Sequence, residues 1–178
     1  MVNQDEPEEC ALPKVVSIGE LPRAELRTRL ADRGIHLNQA AQDLFSDPRF
    51  QPRREASEVA IAARSVADLG FDGGATYAQI VARALELGLA ECPLELAAYL
   101  RLQFMDQPEA AERPSSAEPG SPAGAFTIAS KPLDDSDEVP KGFYLRNIDR
   151  ALWLRGYWSD AIHIWSDADV FVFTLDKR

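Results

Sequence analysis

PKGFYLRNIDRALWLRGYWSDAIHIWSDADVFVFTL, residues 140–175, is the stretch on which the reading of the fold turns. Its apolar residues alternate rather than recur every three or four positions. β-Branched and aromatic side chains crowd between the turn residues Asn147, Asp149, Ser159-Asp160 and Ser166-Asp167. Alternation with a period of two puts successive side chains on opposite faces of a strand. The pattern predicts strands over Phe143–Arg146, Leu152–Tyr157, Ile162–Trp165 and Val170–Leu175, with a further short strand, Phe126-Thr127-Ile128, ahead of the acidic loop 131–140. Connections this short imply antiparallel neighbours.

The same alternation sorts side chains by face. Phe143, Leu145, Leu152, Leu154, Ile162 and Ile164 form an aliphatic side suited to a core. The opposite side collects Tyr144, Arg146, Trp153, Arg155, Tyr157, His163 and Trp165. Aromatic rings interleaved with guanidinium groups suit stacking, cation–π contact and recognition of carboxylate or phosphate. Packing is the competing explanation. A two-layer α+β protein covers a sheet face with helices. Arginine stems also lie along rings without any ligand, and carboxylates from elsewhere in the chain would then pair with Arg146 and Arg155.

Upstream the composition changes. Residues 106–124, DQPEAAERPSSAEPGSPAG, hold four prolines and few large apolar side chains. Such a stretch buries too little surface to offset its ordering entropy and reads as a flexible linker. Before it the period is helical. Pro22 opens a helix carrying Leu26 and Leu30, ended by Gly34; Asn38 caps a second with Ala41, Leu44 and Phe45, stopped at Asp47-Pro48. Val59, Ala63 and Val66 predict a third helix, closed by Leu69-Gly70. Thr76-x-x-Gln79 is a capping-box pattern before Ile80, Ala84 and Leu87, with Gly88 at the end. Pro93 begins a fifth helix, with Leu96, Leu100 and Phe104 in line. The expectation is therefore α+β: a disordered tail over 1–14, a helical domain of about five helices over 15–105, a linker over 106–124 and a small antiparallel β unit over 125–178.

The chain has 178 residues, 46% of them apolar, with a net charge of −10. Enough apolar surface is present for a packed core. Residues 1–140 carry 13 Lys/Arg against 24 Asp/Glu, and residues 141–178 carry 6 against 5, so the acidity lies ahead of the β unit. An acidic chain is repelled by phosphate backbones and anionic lipid, which disfavours nucleic acid and membranes as partners. No apolar run approaches the ~20 residues that span a bilayer, and the acidic first nine residues lack the apolar core of a secretory signal, so a cytoplasmic location is expected.

Motifs for chemistry are missing. Cys10 and Cys92 form no C-x-x-C pair, and His36 and His163 lack metal-ligand spacing. Cys92, ahead of Pro93, is read as a small buried hydrophobe rather than a thiolate. The run Asp134, Asp135, Asp137, Glu138 lacks the glycine and spacing of a calcium loop and reads as a solvated acidic loop. A helix-turn-helix is disfavoured because Asn38–Leu44 (NQAAQDL) has no Lys or Arg. No phosphate-binding glycine motif occurs, and no cofactor is expected.

Pro140–Arg146 (PKGFYLR) and Leu152–Tyr157 (LWLRGY) resemble the C-terminal strand pair of a family of small uncharacterised bacterial cytoplasmic proteins. Members share a helical segment like that running from Ala90–Leu96 (AECPLEL) to Arg101-Leu102, followed by a variable linker. The resemblance implies a bacterial cytoplasmic setting and brings no activity or site residue with it. The expected function is a non-enzymatic protein-interaction or regulatory module that uses the aromatic–arginine face. The alternative is a protein or enzyme binding a small anionic ligand between helices and sheet.

Overall fold

A mixed sheet organises the chain, and the computed structural model describes residues 12–110 and 124–175. In chain order the first stretch holds β1 (Val15–Ile18), α1 (Arg23–Asp32), β2 (His36–Leu37), α2 (Gln39–Ser46), β3 (Ser57–Ser65), β4 (Ala75–Thr76), α3 (Tyr77–Glu86), β5 (Leu89–Ala90) and α4 (Leu96–Gln103). The second holds β6 (Phe126–Ile128), β7 (Gly142–Ile148), β8 (Ala151–Tyr157), β9 (Ile164–Trp165) and β10 (Val170–Leu175). Strands run side by side in the order β1-β3-β10-β6-β7-β8-β2. β5 pairs with β10 beyond the end of β6, and β4 with β9 makes a separate ribbon. Cys10, the first eleven residues of the expected tail and residues 111–123 of the expected linker lie outside the described residues.

This overturns the expected fold class. The described residues hold four helices and a large curled sheet, not a helical half joined to a small sheet. Its strands come from both sides of residues 106–124, and two pairings, β10 with β6 and β2 with β8, are parallel. The decisive misreading is β3. Its sequence, SEVAIAARS, contains three alanines, the best helix formers. β3 nevertheless pairs along both edges, with Val16 opposite Val59 and Val172 opposite Ala63. Ile61 and Val59 pack into the main core on one face, and Ala62 packs on the other. Pairing on both sides outweighs local propensity, as is common for central strands.

Local signals held better at helix ends. Asn38 Oδ1 accepts from the Ala41 amide at 3.0 Å. Thr76 and Gln79 form both halves of the capping box, with the Gln79 amide donating to Thr76 Oγ at 3.3 Å and the Thr76 amide to Gln79 Oε1 at 3.0 Å. Thr76→Ala is expected to lower stability by about 1 kcal/mol in urea denaturation, the usual worth of such a cap. Leu87, expected in the buried stripe of α3, is instead 48% exposed just past the helix end.

α4 is the helix around which the sheet curls. It touches β1 at one edge and β7 and β8 toward the other, and Leu96 to Arg101 are all buried. α1 packs on α4, and α2 on β7 and β8. The main core fills this side, with Leu26, Leu30, Leu44, Leu154 and a cluster of Phe45, Phe50 and Phe143 whose rings stand 5.2–6.1 Å apart. A second, smaller core lies against the other face, where Ile80 and Ala84 of α3 and Trp165 of β9 cover Phe171 and Phe173 of β10. Among the described residues no helix is long and apolar enough to cross a membrane.

Candidate functional site

The β7–β8 ladder fixes the register on which the candidate face depends. Tyr144 stands opposite Arg155, and Arg146 opposite Trp153. Leu145 and Leu154, paired with each other, point into the main core, so the four polar and aromatic side chains share the outer face. β6 and β2 extend the two rows. Thr127 lies beside Tyr144, and His36 beside Trp153. The result is a band of Thr127-Tyr144-Arg155 next to Arg146-Trp153-His36.

Contacts within the band are stacking contacts. The Arg155 guanidinium carbon lies 5.1 Å from the Trp153 ring centre and 6.0 Å from that of Tyr144. The His36 and Trp153 rings are 4.9 Å apart and tilted by 32°. Four of these groups, Tyr144, Arg146, Trp153 and Arg155, are half-buried, and His36 is exposed. The Nε atoms of Arg146 and Arg155 are both buried, and neither has a hydrogen-bond partner. Among the described residues no carboxylate pairs with either guanidinium. Several carboxylates of the acidic half of the chain, which the packing explanation offered as partners, pair elsewhere. Glu95 binds Arg53 at 3.1 Å, while Asp47 and Asp134 hold Arg49. The side-chain bond from Arg49 draws the Asp47 carboxyl down to about 2.

Not all seven residues proposed from the sequence belong to this band, although Tyr157 keeps the β8 face of Trp153 and Arg155. Tyr157, His163 and Trp165 belong to a second cluster beside α3. Trp165 is 5% exposed and meets Tyr157 and His163 edge-on, at 5.4 and 5.0 Å between ring centres. His163 and Trp165 are carried there because β9 pairs with β4 and not with β8. This pairing also reverses the expected faces there: Ile162 and Ile164, assigned to the core, are 80% and 52% exposed. Burial holds the Tyr157 phenol well above its ordinary value, with the Glu91 carboxylate adding to the effect. His36 was missed from the sequence. A two-residue parallel strand carries no alternation, so nothing local marks His36 as a neighbour of Trp153.

Cys92 is 4% exposed, and its thiol is pushed up to about 12, chiefly by burial and then by Glu91. Its burial fits the small-hydrophobe role. Among the described residues no group of three or more His, Cys, Asp or Glu is placed to hold a metal. Comparison with protein-family models, with curated proteins and with solved structures gave no match.

Proposed function

We propose that this chain is a non-enzymatic protein-interaction module whose β7–β8 outer face receives a carboxylate-bearing segment of a partner protein. One observation carries the reading: two neighbouring arginines, one of them stacked on Trp153, meet no carboxylate among the described residues although the chain carries a net charge of −10. A guanidinium offers five donors in a rigid fork matched to carboxylate oxygens. Desolvated and unpaired Nε–H groups carry an energetic cost that a bound carboxylate removes. Trp, Tyr and Arg are also the residues that dominate binding energy at interfaces. The bacterial cytoplasm is the proposed setting, on the resemblance carried by residues 140–146 and 152–157. A small anion held between helices and sheet has less support: α1, α2 and α4 lie against the opposite face from Arg146 and Arg155, and α3, on their side, packs in the second core with Phe171 and Phe173 of β10.

The test is fluorescence anisotropy with a labelled ten-residue Glu-rich peptide. The wild type is compared with Trp153→Ala/Arg155→Ala, after circular dichroism shows that the variant folds. Affinity is expected to fall at least tenfold in the variant, since central Trp and Arg residues each contribute roughly 2 kcal/mol. A Lys-rich peptide should not bind. Equal affinity of both proteins for the acidic peptide contradicts the proposal.

A further inference from the structure

We infer that a second site, a cavity of about 320 Å³ between α3, the 131–140 loop and the end of β8, binds a small organic cation such as an amine or quaternary ammonium. Its volume falls at the lower end of the roughly 300–1,000 Å³ typical of small-molecule sites. Tyr77, Ser130 and Tyr157 line it, and Asp135, Asp137 and Asp160 stand around it. None of these residues belongs to the β7–β8 band, so the inference stands independently of the proposed function.

The unpartnered group is Ser130. The residue is 1% exposed, and its Oγ is buried without a hydrogen-bond partner. A native fold rarely leaves such a group unsatisfied unless a water or ligand meets it. The remaining polar atoms are mostly acceptors. Tyr77 donates its hydroxyl proton toward Glu91 Oε1 at 2.8 Å and the Ser130 carbonyl at 3.0 Å, which leaves its lone pairs available. Both tyrosines stay neutral, because burial raises their phenols well above the ordinary value.

Charge selects the class of ligand. Lys141 is the cation among the lining residues, and its Nζ already donates to the carbonyls of Asp134 and Ser136 at 3.2 and 2.7 Å. It holds the loop in place. Three carboxylates oppose that single ammonium, and they also exceed the half-charge that the N-terminus of α3 presents. A cation bordered by tyrosines and carboxylates gains from both ring quadrupoles and charge.

The test is a thermal-shift titration of the full chain at constant ionic strength. The probes are 1,4-diaminobutane and tetramethylammonium, with acetate as the anionic control. At tenfold excess over the dissociation constant, either cation should raise the melting temperature by about 4 °C in a saturable manner. Asp135→Asn/Asp137→Asn, at two exposed positions, should weaken the response about tenfold. Ala78→Trp, at an exposed position on the first turn of α3, should abolish it by filling the mouth, while Trp153→Ala/Arg155→Ala leaves it intact. Failure of both cations to give a saturable shift overturns the inference. So does a matching shift with acetate, or a cation response that survives in Ala78→Trp.

Discussion

Replacing Gly156 with alanine is expected to destabilise the fold by about 3 kcal/mol, at the upper end of overpacking effects. A Cβ at this position would lie 2.7 Å from both Ala40 C and Ala41 N, and 2.9 Å from Ala40 O. These are backbone atoms of α2, so no side chain can rotate away. The strand and helix must separate, and a second set of bonds goes with them. Asn38 Oδ1 accepts from the Gly156 amide at 2.8 Å, and Asn38 Nδ2 donates to the Gly156 carbonyl at 2.9 Å. The same Oδ1 caps α2 through Ala41. One residue thus ends a helix and extends the outer edge of β8 as a neighbouring strand would. Urea denaturation measures the effect. A loss under 1 kcal/mol would mean that α2 does not sit this close to β8.

Gln107→Leu is expected to cost about 3 kcal/mol, the scale for stripping a partner from a buried charge. Arg101 is fully buried at the end of α4. Its guanidinium donates to Gln107 Oε1 and the Phe104 carbonyl, and lies 5.8 Å from the Phe104 ring centre. Among the described residues no carboxylate binds it directly, and burial pulls the group down to about 10. Gln107 in turn donates to the carbonyls of Gly124 and Leu145, at 2.9 and 3.3 Å, and ties α4 to β7. The double change Arg101→Met/Gln107→Leu removes the charge along with its acceptor. It should recover most of the loss, since replacing a buried polar pair by apolar groups of similar volume is often neutral. A double variant as unstable as Gln107→Leu would show that the guanidinium is not the source of the cost.

Gln107 also shows where the sequence misleads. It lies in the Pro/Ser/Glu-rich stretch that composition assigns to a linker, yet it is 2% exposed and central to a buried network. Composition averages over a window and cannot register one anchored side chain. β3 fails for a related reason: its alanines favour a helix locally, and only the two neighbouring strands, distant in sequence, decide otherwise. Asn38 and the Thr76–Gln79 pair were legible because a cap depends on residues three apart. The Tyr144, Arg146, Trp153, Arg155 face was legible for the same reason, through the alternation of two strands joined by a tight turn. Trp165 was misplaced with them because its partner strand, β4, lies nearly ninety residues upstream.

A two-dimensional NMR titration that follows arginine Nε–H and tryptophan indole resonances as the acidic peptide is added tests the β7–β8 face as the binding surface. The Nε–H signals of Arg146 and Arg155 and the indole of Trp153 are expected to move together and saturate at one dissociation constant, while buried Trp165 and Arg101 stay still. Saturable shifts centred on other residues, or none at all, would contradict the β7–β8 face as the binding surface.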